Sequence, residues 1–185
     1  MNILGRRRFH LPIAVAFAAA SVASFTVLSD SIRQGESDLA GWVGGLLTGS
    51  DIRPIPGIGA MLVLRDNEVI IASVTYWCSL STVLGTLFAG AALLSLLRRA
   101  PLPRLLTATL AAVVVVFLVN QIRLVSTVLS GREWGNGVMT TVHDYLGTPV
   151  SMLGFGIATF LLVGWAMGRR GSHPSGGLSI PDPAL

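Results

Sequence analysis

One cysteine stands among 185 residues: Cys78, in the stretch Thr75-Tyr76-Trp77-Cys78-Ser79-Leu80. A thiolate is a strong nucleophile, but a free thiol with a pKa of about 8.5 needs a basic or cationic neighbour to ionise at neutral pH. Histidine can take that proton and later return it to a leaving amine. Arginine keeps its charge and can hold a thiolate, or the oxyanion that forms when a carbonyl is attacked. His143 and Arg123 are the residues of those types that interest us. Asn120, three residues before Arg123 and on the same helical face, could orient the guanidinium or bind substrate backbone. Asp144 adjoins His143 and could tune the imidazole. A lone cysteine in a membrane protein is most often a small buried hydrophobe, so chemistry requires that other elements bring these side chains together. One cysteine also excludes an internal disulfide.

Composition sets the class of those elements. The chain is 52% hydrophobic and 12% charged, with a mean hydropathy of +0.71, whereas soluble domains carry roughly 25% charged residues. This predicts an all-α polytopic membrane protein forming one integral-membrane domain over 1–170. Four apolar runs are long enough to span, near 11–29, 80–97, 105–129 and 149–167. The basic start Arg6-Arg7-Arg8 before the first run resembles a signal peptide, but the run's length favours an uncleaved span. Between the first two runs lies a polar region, 30–77. Leu39, Trp42, Val43, Leu46 and Leu47 recur there as one face of an amphipathic helix, interrupted by Gly44 and Gly45, that suits the membrane interface. Arg53-Pro54-Ile55-Pro56-Gly57 punctuates the chain. Ala60–Leu64 and Val69–Ala72 then flank a turn and predict a small extracytoplasmic β-hairpin. Residues 171–185 are rich in Ser, Pro and Gly and are expected to be a disordered cytoplasmic tail.

All thirteen basic residues are arginines. Arg6, Arg7, Arg8, Arg98, Arg99, Arg104, Arg169 and Arg170 fall on one side of the four spans, and eight of the nine acids, all but Asp182, fall on the other. The positive-inside rule makes the arginine side cytoplasmic and both termini internal. The formal charge of +4 is therefore a topology signal, and no nucleic-acid partner is expected. At 1.5 Å per helical residue, Cys78 lies about 30 Å from Arg98, and Arg123 about 28 Å from Arg104. His143 precedes a fourth span expected to begin near Pro149, since proline suits a helix start. All three then meet at the outer boundary of the bilayer. His10 and His173 fall on the cytoplasmic side.

Cys78 opening a span, Asn120-Gln121-Ile122-Arg123 late in the next, and His143 before the last resemble the exosortase/archaeosortase family over roughly Ala60 to Met167. The resemblance implies a multi-pass membrane cysteine transpeptidase with a Cys, Arg, His triad. Such enzymes cut a C-terminal sorting signal followed by a span and a basic cluster, and pass the carboxyl group to an acceptor at the outer face. Cys78 matches the nucleophile, Arg123 the family arginine, His143 the histidine and Asn120 the Asn of Asn-x-x-Arg. Expected partners are membrane-anchored proteins bearing that signal, and lipids, with no cofactor or metal. Two departures stand out: Leu80 replaces a glycine common two residues after the cysteine, and many relatives have more spans.

Two other classes compete. A non-catalytic membrane subunit could use its polar residues for helix packing, and Gly85/Ala89, Gly90 and Gly154/Ala158 would suit close contacts in either case. A small transporter fits less well, because transporters gather ionisable groups near the midplane.

Overall fold

The computed structural model describes residues 3–49, 51–66, 68–76, 79–97 and 100–167, with side chains from residue 10 onward. Trp77, Cys78, Arg98, Arg99, Arg169, Arg170 and the expected tail 171–185 lie outside the described residues. Among the described residues six α-helices and three strands follow in order. Helix α1 spans Ile3–Phe25, α2 Ser29–Thr48, α3 Leu80–Leu96, α4 Leu102–Trp134, α5 Asn136–Thr141 and α6 Thr148–Met167. A π-helical turn, Val142–Gly147, joins α5 to α6. Strands β1 (Ile52–Ile55), β2 (Ala60–Arg65) and β3 (Glu68–Ser73) form an antiparallel sheet in that order.

Among the described residues two helical stretches are long and apolar enough to cross a membrane, Leu102–Trp134 and Asn136–Met167. A third joins them if His10–Phe25 and Ser29–Thr48, bent by 69°, count as one span. Helix α3 is apolar too but shorter, at 17 residues. Pro101 precedes α4 and Pro103 lies in its first turn, where a missing N–H costs nothing.

Two apolar cores are threaded by α4. Leu87, Ala91, Leu105, Ala108, Ala112, Val116, Ala158 and Leu162 form one, between α3, α4 and α6. Small residues let these helices approach: a Cβ on Gly154 would come within 2.7 Å of Val119 Cγ1, and Ala158 is fully buried. The other core gathers Ala40, Ile52, Met61, Val63, Ile70, Val74, Leu124 and Val128, between α2, the sheet and the far half of α4. Burying side chains such as Met61 and Val63 contributes about 1.5–3 kcal/mol each. Asn120 and Arg123 sit on α4 between these cores.

The sheet has three strands rather than two. Arg53-Pro54-Ile55, expected as punctuation, pairs with Leu62-Met61-Ala60. Strand β1 is an edge, where proline's missing donor is tolerated. The glycines of α2 do not interrupt it. The helix runs to Thr48 and ends on Gly49 in the left-handed region, φ 68°. Gly41 and Gly44 instead let β1 approach: a Cβ on Gly41 would lie 2.7 Å from Pro54 N. The apolar stripe of α2 faces outward, with Trp42, Leu46 and Leu47 more than 60% exposed. Its packed face is the small and polar one: Ser29, Glu36, Ser37, Ala40, Gly41 and Gly44.

Helix continues where a polar loop was expected. Helix α4 extends to Trp134, and the chain from Asn136 is helical through Pro149 to Met167. His143 therefore sits on a π-helical turn, not in a loop. Such turns insert an extra residue into a helix and recur at functional sites.

Candidate functional site

The site grows from the start of α3. Ser79, extended at φ −83° and ψ 145°, is the N-cap, its Oγ accepting from Ser81 N at 3.1 Å. The same hydroxyl donates to Glu36 Oε2 at 2.8 Å, and Leu80 N donates to Glu36 Oε1 at 2.8 Å. Glu36 comes from α2 and is 2% exposed. Burying a carboxylate is costly unless donors surround it, and Asn120 Nδ2 on α4 supplies a third, to Oε1.

Asn120 hands the network to Arg123. Its Oδ1 accepts from Arg123 Nη1 at 3.4 Å, as expected of residues three apart on one helix. Nη1 also donates to Ser151 Oγ on α6 at 3.1 Å. Nη2 lies 3.1 Å from His143 Nε2. A guanidinium has only donors, so Nε2 accepts, and the remaining ring proton sits on Nδ1. Nδ1 is 2.9 Å from Asp144 Oδ1, which receives it. Arg123 is 7% exposed, whereas the His143 and Asp144 side chains are 37% and 61% exposed. The chain of contacts thus leads from buried helix contacts to the surface of the π-helical turn. Gly147 makes room for it, since a Cβ there would stand 3.0 Å from Arg123 Nε.

Arg123 borders two openings. A narrow cleft of about 40 Å³ between α3, α4 and α6 is lined by Ser79, Leu80, Asn120, Arg123, Ser151 and Gly154, among others. A wider, largely apolar groove of about 240 Å³ runs past Ile122, Arg123, Thr127, Leu146 and Val150 on the other side. Leu80, where a glycine would be smaller, is 94% buried and narrows the cleft.

Arg123, His143, Asn120 and Asp144 are therefore brought together, though they come from different turns of the chain. Cys78 lies outside the described residues, but its neighbour Ser79 is tied to Arg123 through Glu36 and Asn120. Glu36, Ser79, Ser151 and Gly147 were not singled out from sequence. Glu36 passed for one more outer-face acid. The signal that marks it is its place on the small-residue face of α2, which packs, rather than on the face exposed to the surroundings. Among the described residues no three His, Cys, Asp or Glu side chains gather as a metal site.

The transmembrane exosortase family model matches residues 4–167, nearly the whole chain. The chain belongs to the transmembrane exosortase family. Comparison with curated proteins and with solved structures returned no match. In this member of the family the matched region takes in the elements just described, from the second residue of α1 to the end of α6. Membership in a membrane family agrees with the apolar helices α4 and α6. It also suggests a membrane transpeptidase.

Proposed function

We propose that this exosortase-family protein is a membrane-embedded cysteine transpeptidase or protease. It cleaves a C-terminal sorting signal from membrane-anchored proteins at the outer face. The observation that carries the reading is the contact between Arg123 and His143, linked through Asn120 and Glu36 to the residue after Cys78. A packing role alone does not call for a guanidinium and an imidazole held together beside a cleft.

The chemistry follows from those groups. His143 Nε2 exchanges its contact with Arg123 for the thiol proton of Cys78, while Asp144 keeps the other ring proton in place. The thiolate attacks the scissile carbonyl, forming a C–S bond and an oxyanion that the guanidinium holds. Collapse breaks the C–N bond, and the imidazolium returns its proton to the leaving amine. A thioester remains on Cys78. An acceptor nucleophile, or water, then attacks it, loses a proton to His143 and releases the thiol. The topology that serves this reaction has four spans, α1, α3, α4 and α6, with both termini inside. Helix α2 lies at the outer interface with its exposed Trp42 stripe against lipid.

Cys78→Ala tests the reading. Surface proteins of cells carrying the variant should retain C-terminal peptides that wild-type cells remove, at unchanged enzyme abundance. A Cys→Ala change removes only the sulfur of a small side chain, so folding should survive. Normal processing by the variant would leave Cys78 a packing residue and favour a non-catalytic subunit.

A further inference from the structure

Helix α2 grips the cysteine-bearing segment on both sides of Trp77-Cys78. Upstream, the Arg33 guanidinium lies over the Tyr76 ring, 4.2 Å from its centroid, and Nη1 donates to Val74 O at 3.4 Å. Arg33 also pairs with Asp30, whose Oδ1 accepts from Tyr76 Oη at 3.4 Å. Downstream, Glu36 takes Ser79 Oγ and Leu80 N. Arg33 and Glu36 are three residues apart and so share one face of α2.

Glu36 does more than close a helix end. Leu80 N is one of the amides that every helix N-terminus leaves without an intrahelical partner, and a nearby acid suits that end of the dipole. Ser79 already caps Ser81 N, and water could serve Leu80 N at less desolvation cost than a buried carboxylate. The reach of Glu36 to Asn120 is what a local cap lacks. One carboxylate joins the start of α3 to the Asn-x-x-Arg face of α4.

We infer that Glu36 is a positioning residue, holding the segment that carries Cys78 in register with Asn120 and Arg123. This rests on the transpeptidase reading above. It acts through the reach of its two oxygens rather than through its charge. Glutamine keeps that reach: Oε1 can accept from Leu80 N and Asn120, and the new NH2 can donate to a lone pair left on Ser79 Oγ. Aspartate keeps the charge but withdraws the carboxylate by one C–C bond, about 1.5 Å.

The single thiol makes the test direct, because thiol alkylation reads Cys78 alone. Full-length protein in detergent is treated with iodoacetamide between about pH 6 and 10, with Cys78→Ala as blank, and the midpoint of the rate is compared. Wild type should titrate below about 8.5. Glu36→Asp and Glu36→Ala should raise the midpoint by about one unit, and Glu36→Gln should leave it within about 0.3 unit of wild type. A merely structural role would lower melting temperatures without moving the midpoint. If the Ala variant does not fold, the Asp and Gln variants carry the comparison. An inverted order, with Asp like wild type and Gln shifted, would show action by charge and overturn the inference. So would a depressed wild-type midpoint indifferent to residue 36, with the transpeptidase reading intact. A wild-type midpoint already near 8.5 would instead remove the activated-thiol reading, and this inference with it.

Discussion

Arg123→Lys separates a chemical role from a structural one. Lysine keeps the charge and a long stem but replaces a planar fork with a single nitrogen. In the native site the fork works in two directions at once. Nη1 reaches Asn120 and Ser151, and Nη2 reaches His143. One ammonium cannot occupy both nitrogen positions, so at least one direction is lost. A hydrogen bond to a charged group contributes about 1.5–3 kcal/mol, so stability should fall by up to that amount, still compatible with folding and insertion. For a donor that faces a developing oxyanion, the loss is typically about 10²–10³ in rate. Partial compensation by the ammonium sets the expected floor at about tenfold, or about 1.4 kcal/mol of barrier. The assay is a pulse-chase of surface proteins that lose their C-terminal tail in wild-type cells, with enzyme abundance measured in the same membranes. Processing within about twofold of wild type would refute the reasoning: the guanidinium would then be an anchor, and the oxyanion would need another donor.

Gly147→Ala should push Arg123 Nε from a 3.0 Å approach and slow processing several-fold. Its melting temperature should hold or rise, because alanine is favoured over glycine in helices by about 1 kcal/mol; unchanged processing would show that Arg123 tolerates the shift. Two glycines of α2 should respond in opposite senses. Gly35→Ala meets nothing within 4 Å and should stabilise by about 0.5–1 kcal/mol, whereas Gly41→Ala would press on Pro54 and should destabilise by about 1–3 kcal/mol. Equal melting temperatures for the pair would argue against the packing of β1 on α2. Tags at Met1 and Leu185 should both resist impermeant reagents in intact cells. Labelling of either from outside would overturn the orientation read from the arginines.

Much of the architecture was legible because membrane insertion is governed by local composition. Apolar runs, and arginines gathered on one side of them, depend on no tertiary contact. They located α3 and α6 to within a residue, whereas the first run, near 11–29, starts eight residues inside α1 and ends where α2 begins, and α4 extends five residues past its run, to Trp134. The hairpin of β2 and β3 was legible too, since alternating apolar residues around a short turn are again a local pattern. Asn120 and Arg123 could be placed on one helical face from their spacing alone.

What only the tertiary structure decided are the features whose cause lies in another element. Pro54 reads as a breaker until β2 offers it an edge to pair along, and Gly44 reads as an interruption until β1 packs against it. The apolar stripe of α2 was legible as a face for the membrane interface, but only the structure shows that the small and polar residues opposite make its packed side. The polar stretch before α6 resembled a loop because nothing local announces a π-helical turn; it is the packing of Gly147 on Arg123 that accompanies it. Glu36 is the sharpest case. Its partners lie 43, 44 and 84 residues away, and a carboxylate is solvated or buried according to donors that no sequence window contains.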